Sequence, residues 1–71
     1  MRQFRDKAMT DFVANIKRET PLAYLVNDGI MECWIPKSQV EEIEVEEKGV
    51  DGDDLMRFTI PEWLAIEKGI V

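Results

Sequence analysis

Few residues in this chain could do covalent chemistry. Cys33 is the sole cysteine and there is no histidine, so no imidazole is at hand to activate the thiol. Cys33 alternates with Met31 and Ile35 along an apolar run, which turns it toward a core. A free cysteine there behaves as a small hydrophobe rather than a nucleophile. Ser38 follows Lys37, but a Ser–Lys pair needs juxtaposition in space and a preorganised oxyanion site; a polar corner between two elements explains it more simply. Carboxylates are plentiful at Glu41, Glu42, Glu44, Glu46, Glu47, Asp51, Asp53 and Asp54. General acid–base work requires surroundings that push two carboxyl pKa values apart inside a cleft, whereas these residues occupy a solvated strand face and a loop. Asp51, Asp53 and Asp54 offer oxygens to a hard cation, but the later glutamate of an EF-hand is missing. One thiol without histidine builds no structural zinc site. The expectation is a protein that is not an enzyme, with no catalytic residue, no cofactor and no metal.

Binding is better served. Glu44 and Glu46 alternate with Ile43 and Val45, so they project from one strand face, and Asp51, Asp53 and Asp54 extend the negative field into the following loop. Regularly spaced carboxylates can imitate nucleic-acid phosphates and dock on a basic protein surface; the plainer role is to keep an edge strand soluble. A second candidate patch is Trp34 with Lys37 and Gln39, an aromatic beside polar groups. The net charge is −6, and residues 37–71 hold four basic and ten acidic side chains. Such a balance would repel phosphate backbones, making duplex nucleic acid an improbable partner and another protein the expected one. An alternative is a single-strand nucleic-acid binder, with Tyr24 and Trp34 stacking on bases and Arg18 and Lys37 meeting phosphates. A dimeric structural protein is a third reading.

The elements that must position these residues are short. Phe4, Ala8, Phe12 and Ile16 recur at helical spacing, yet Phe12, Ala14 and Ile16 also alternate with Val13, Asn15 and Lys17. Residues 1–10 read as a loose or helical arm and 11–18 as a first strand, stopped by Thr20-Pro21. Leu22–Val26 and Ile30–Ile35 read as a hairpin about Asn27-Asp28-Gly29. Pro36 ends it, and Lys37-Ser38-Gln39 forms a corner. Val40–Glu47 is a half-buried strand with an acidic outer face; a loop over 48–54 leads to a last strand, Leu55–Phe58. Thr59 and Glu62 have capping-box spacing, Phe58 and Trp63 that of a hydrophobic staple, Pro61 suits a first turn and Gly69 a stop. A helix is predicted over residues 60–68, covering Trp34 and placing both tryptophans in the core; the alternative leaves Trp34 exposed beside Lys37 and Gln39.

Five strands and one helix make the chain mainly β. Seventy-one residues cannot cover both faces of a flat sheet, so the sheet should curl, either as an open antiparallel sheet or as a small SH3-like or OB-like barrel closed by the helix. One small domain over residues 11–71 is expected. A chain this size is marginally stable, and with a single cysteine it must rest on its apolar core or on a second subunit, a homodimer among the possibilities. No apolar run resembles a secretory leader or a membrane span, and an unpaired thiol suits a reducing cytoplasm.

Trp34-Ile35-Pro36-Lys37-Ser38-Gln39, with Arg18-Glu19-Thr20 and Tyr24-Leu25-Val26 before it and Ile60-Pro61-Glu62-Trp63-Leu64-Ala65 and Lys68-Gly69-Ile70 after it, resembles a group of small uncharacterised proteins of phages and prophages. The likeness covers about residues 16–70. It implies a phage or mobile-element origin, with host-cell cytoplasm as the compartment. In a chain of that origin the acidic hairpin would suit an accessory factor that inhibits a host protein, a role the resemblance itself does not cover. The group carries no established activity, so the resemblance assigns no functional residue.

Overall fold

The computed structural model describes residues 8–70. The part of the expected N-terminal arm over residues 1–7 lies outside the described residues, and its last two residues, Met9 and Thr10, belong to the first strand instead. Five strands are formed: β1 Met9–Glu19, β2 Ala23–Asn27, β3 Glu32–Pro36, β4 Glu42–Glu47 and β5 Leu55–Pro61, followed by a helix α1, Glu62–Glu67. All neighbouring strands are antiparallel, in the order β3-β2-β1-β5-β4.

β1 organises the sheet. Its period-two pattern buries Phe12 and Ala14 on one face and leaves Asp11 and Val13 on the other. From Met9 to Asn15 it pairs with β5, and from Asn15 to Glu19 it pairs with β2. Asn15 alone has a partner in both strands. The register slips by one residue between Ile16 and Arg18, and such a bulge bends the strand and sharpens its twist. The sheet therefore curls, but it does not close. Closing a barrel would require β3 to pair with β4, and the half-and-half use of β1 offsets the two wings that carry those strands. Instead a short 3-10 turn, Lys37–Gln39, leads the chain across. The barrel alternative is thus corrected to an open sheet with two free edges, β3 and β4.

Local chemistry sets the turns. Thr20 ends β1 by accepting hydrogen bonds through Oγ1 from the N–H groups of Leu22 (3.2 Å) and Ala23 (3.0 Å). In the β2–β3 connection, Asp28 Oδ1 accepts from Ile30 (2.9 Å) and Met31 (3.0 Å), while Gly29 takes a φ of 97°. This side-chain-stapled turn absorbs Ile30 and Met31, so β3 starts two residues later than the apolar run suggests. β5, conversely, runs on to Pro61 rather than stopping at Phe58.

That extension overturns the predicted helix start. Thr59 lies in β5 opposite Asp11, and its hydroxyl donates to Asp11 Oδ1 at 2.7 Å instead of capping. Pro61 holds the N-cap position with no side-chain cap, and the first helical N–H, that of Glu62, is taken up by the Ala8 carbonyl at 2.8 Å. Pairing with β1 outcompetes the capping box. The staple fails with it, because Phe58 points into the core while Trp63 is 56% exposed. The C-terminal stop forms as expected: Gly69 adopts φ 78°, its N–H reaches Ile66 O at 3.1 Å, and the Ile70 N–H reaches back to Ala65 O at 2.8 Å, the pattern of a left-handed glycine terminus.

The core lies on one face of the sheet. Phe12, Ala14, Val26, Ile35, Phe58 and Ile60 form it, and α1 covers them with Leu64 and Ala65. Phe58 is the hub, stacked on Phe12 with ring centroids 5.1 Å apart and meeting Tyr24 edge-on at 5.8 Å. Among the described residues no helix is long and apolar enough to cross a membrane.

Candidate functional site

With α1 on the core face, the opposite face of the sheet carries no covering element among the described residues. Trp34 lies there. It stands opposite Leu25 on β2, and Leu25 stands opposite Arg18 on β1, so the three form one cross-strand row. Trp34 is 41% exposed, and the expectation that the helix covers it is corrected: strand alternation sends Ile35 to the core and Trp34 away from it. A second row crosses the other wing, with Val13 opposite Arg57 and Arg57 opposite Glu44. Between them Asn15 joins Asn27 on one side and Leu55 on the other; its amide donates to the Asp54 carbonyl at 2.8 Å, tying the loop to the sheet.

The sheet divides the predicted Trp34–Lys37–Gln39 patch. Lys37 Nζ sits 4.9 Å above the centre of the Tyr24 ring and 2.5 Å from a Glu19 carboxylate oxygen. Tyr24 in turn abuts Phe58. Lys37 thus belongs to the core side, while Trp34 faces the other way. Gln39 ends the 3-10 turn, half-buried. Tyr24 and Trp34 likewise present to opposite sides and share no platform.

The acidic strand is placed at the β4 edge as expected, but its charges are engaged. Arg57 reaches both Glu44 and Glu46, the latter at 3.4 Å. A bulge between Val45 and Glu47 brings Glu46 within range. Val45, expected on the buried side, is exposed, because β4 is an edge strand that extends past the covering elements. Asp53 lies 4.0 Å from Lys17, and Asp54 3.9 Å from Lys48. Asp54 also accepts the Gly49 N–H at 3.0 Å. Asp51 is exposed in a left-handed conformation, φ 59°. Among the described residues no three carboxylate or thiol groups converge where a metal could sit.

Among the described residues, two groups titrate away from their ordinary values. The Asp28 carboxyl is held low by the N–H of Met31 first and of Ile30 second, since both bonds favour the anion. Burial raises the Cys33 thiol, only partly offset by the positive charge of Lys68. Cys33 packs against the core as a thiol less readily ionised than a free one, half-buried rather than fully so.

Leu25 and Arg57 are the residues of this candidate face that sequence reasoning passed over. Leu25 reads as one more apolar residue of a strand; only the register with Trp34 shows which face it takes. Arg57 carries no motif, and its cross-strand partners follow from the β4–β5 pairing.

The fold and surface define a class: a small antiparallel β domain, open at both edges, with one helix on its core face and an aromatic-bearing bare face. Beyond that class, no family model, curated protein or solved structure matches the chain.

Proposed function

We propose that this chain is a non-enzymatic protein-binding module, an accessory factor of a phage or mobile element, whose contact surface is the bare sheet face around Trp34, Leu25 and Arg18. One observation carries the reading: a half-exposed tryptophan stands in a cross-strand row with a leucine and an arginine on a face that nothing in the described chain covers. Tryptophan and arginine are the residues most enriched at energetic centres of protein interfaces. The row gives an apolar anchor with a cation beside it. The acidic β4 edge flanks this face and would steer a basic partner toward it. The single-strand nucleic-acid reading is less well supported, because its two stacking aromatics lie on opposite sides of the sheet.

The test is capture from host and infected-cell lysates, with nucleic acid analysed alongside protein, followed by affinity measurement on the recovered partner. Trp34→Ala should weaken binding at least tenfold, as a central aromatic contact does. Glu44→Lys with Glu46→Lys should slow association in a salt-dependent way and leave dissociation largely unchanged. Recovery of nucleic acid bound with a steep salt slope, or a partner indifferent to Trp34→Ala, would refute the proposal.

A further inference from the structure

The two open edges of the sheet are built differently. β4 carries Glu42, Glu44, Glu46 and Glu47 in six residues and is broken by a bulge, both devices that discourage strand pairing. β3, Glu32-Cys33-Trp34-Ile35-Pro36, has one carboxylate and no bulge against β2.

Hydrogen bonding shows what β3 offers. The Lys37 N–H bonds Leu22 O at 2.8 Å, and Asp28 N–H bonds Met31 O at 3.2 Å. These bonds flank the β2–β3 ladder at both ends. In an antiparallel pair, backbone groups point alternately to the partner and away. Residues 31, 33, 35 and 37 therefore face β2, and Glu32, Trp34 and Pro36 face the open edge. Pro36 fits this phase, since its missing N–H falls on the outer side, where proline is tolerated in a strand. The edge presents two donors, Glu32 N–H and Trp34 N–H, and three acceptors, the carbonyls of Glu32, Trp34 and Pro36. Among the described residues no group takes up either donor.

We propose that β3 is a self-pairing edge: two copies of the chain join antiparallel about a two-fold axis at Trp34, fusing their sheets into one of ten strands. In that register Trp34 exchanges both backbone bonds with Trp34 of the second copy, and each Glu32 N–H meets the Pro36 carbonyl of the other. All four outward donors of the two chains are used, and the prolines sit where no donor is required. An isologous pairing closes on itself. Charge favours the same arrangement. The net charge is −6 per chain, yet the acidic β4 edges end up nine inter-strand steps apart, roughly 40 Å along the sheet at about 4.8 Å per step, far beyond the ~8 Å screening length at physiological salt. Pairing through β4 would instead place glutamates against glutamates. The contact is made by backbone groups along an edge and brings two Trp34–Leu25–Arg18 rows side by side. Trp34 belongs to both surfaces, so Glu32→Pro, outside that row, is the variant that separates the pairing from the proposed binding.

The experiment uses the full chain alone. Sedimentation equilibrium should show the mass rising from 8.3 kDa toward twice that value with concentration, up to on the order of 1 mM for so small a contact. In this register the two Cys33 residues are diagonal neighbours, about 7–8 Å apart, so a short bis-maleimide should join them on prolonged reaction, slowly because each thiol is half-buried. Two variants break the edge without touching the core. Glu32→Pro removes an outward donor and sets a ring in the partner's path; Trp34→Lys puts two like charges together at the axis. Both should stay at the monomer mass and lose the Cys33 cross-link while keeping the parent's circular dichroism. A parent that remains a monomer over this range overturns the proposal. So does a dimer that persists in both variants, which would place the contact elsewhere. Neither result bears on lysate capture by the bare face, which is read separately.

Discussion

Replacing Phe58 with leucine separates the packing described above from the one the local sequence suggests. The Phe58 ring is fully buried, stacked on Phe12 at 5.1 Å and meeting Tyr24 edge-on at 5.8 Å. Leucine keeps the site apolar but gives up both ring contacts. Each aromatic pair contributes about 0.5–1.5 kcal/mol beyond its area, so Phe58→Leu should cost about 1–3 kcal/mol. A domain of this size has about 4–11 kcal/mol in hand, at about 0.05–0.15 kcal/mol per residue. With a urea slope near the small-protein limit of about 1 kcal/mol per molar, the midpoint should fall by about 1–3 M. Trp63→Ala is the control. The staple predicted from spacing would make it as damaging as any core truncation, whereas an exposed ring should cost about 0.5 kcal/mol or less. The assay is urea denaturation of parent and both variants at one protein concentration, followed by circular dichroism with slopes compared. A Phe58→Leu midpoint within 0.3 M of the parent, on the order of the expected error, would refute the hub role. A Trp63→Ala midpoint that falls as far as Phe58→Leu would restore the staple and refute the helix placement.

Further outcomes follow from the same structure. Gly69→Ala should destabilise by about 1 kcal/mol because Gly69 sits at φ 78°, read from the thermal midpoint. Glu44→Lys combined with Glu46→Lys should cost about 1 kcal/mol and not nothing, since Arg57 loses two partners and gains like-charged neighbours; high salt should narrow the gap. Asp28 binds its proton more weakly folded than unfolded, so its contribution is complete above the ordinary value of 3.8 and is lost as pH falls through the folded value. The urea midpoint of the parent should therefore exceed that of Asp28→Ala at pH 6, with the difference shrinking below pH 3.8. Cys33 should alkylate more slowly than a free thiol at pH 7, because burial raises its pKa, and urea should abolish the difference.

The strands were legible where alternation was clean. Phe12 and Ala14 against Val13, and Ile43 against Glu44, marked faces that the structure keeps. The Asp28-Gly29 turn and the Gly69 stop were legible because each residue type answers a specific backbone demand. What could not be read were the consequences of register. Thr59-x-x-Glu62 has the spacing of a cap, but the same threonine has a β1 partner in Asp11, and the long-range pair prevailed over the local one. The position of the bulge near Lys17 is equally silent in sequence, and it decides that Arg18 joins Leu25 and Trp34. For the same reason the Trp34–Lys37–Gln39 grouping, close in sequence, is divided by the sheet. The acidic edge was visible as a run of glutamates, but its neutralisation by Arg57 depends on a strand that arrives thirteen residues after Glu44.

β1 has consequences for the order of folding. Its ladder to β5 joins Met9 to Pro61 and Asn15 to Leu55, contacts that close nearly the whole chain. The β2–β3 hairpin closes over a few residues, a microsecond event, whereas pairing across most of the sequence carries the full entropy of loop closure. High contact order of this kind slows two-state folding into the millisecond-to-second range. During synthesis β1 leaves the ribosome long before β5, and from Met9 to Ala14 it waits without a strand partner, since β2 pairs only from Asn15 onward. The hub ring at Phe58 arrives on that same late strand, so the core and the second wing form together in a single cooperative step.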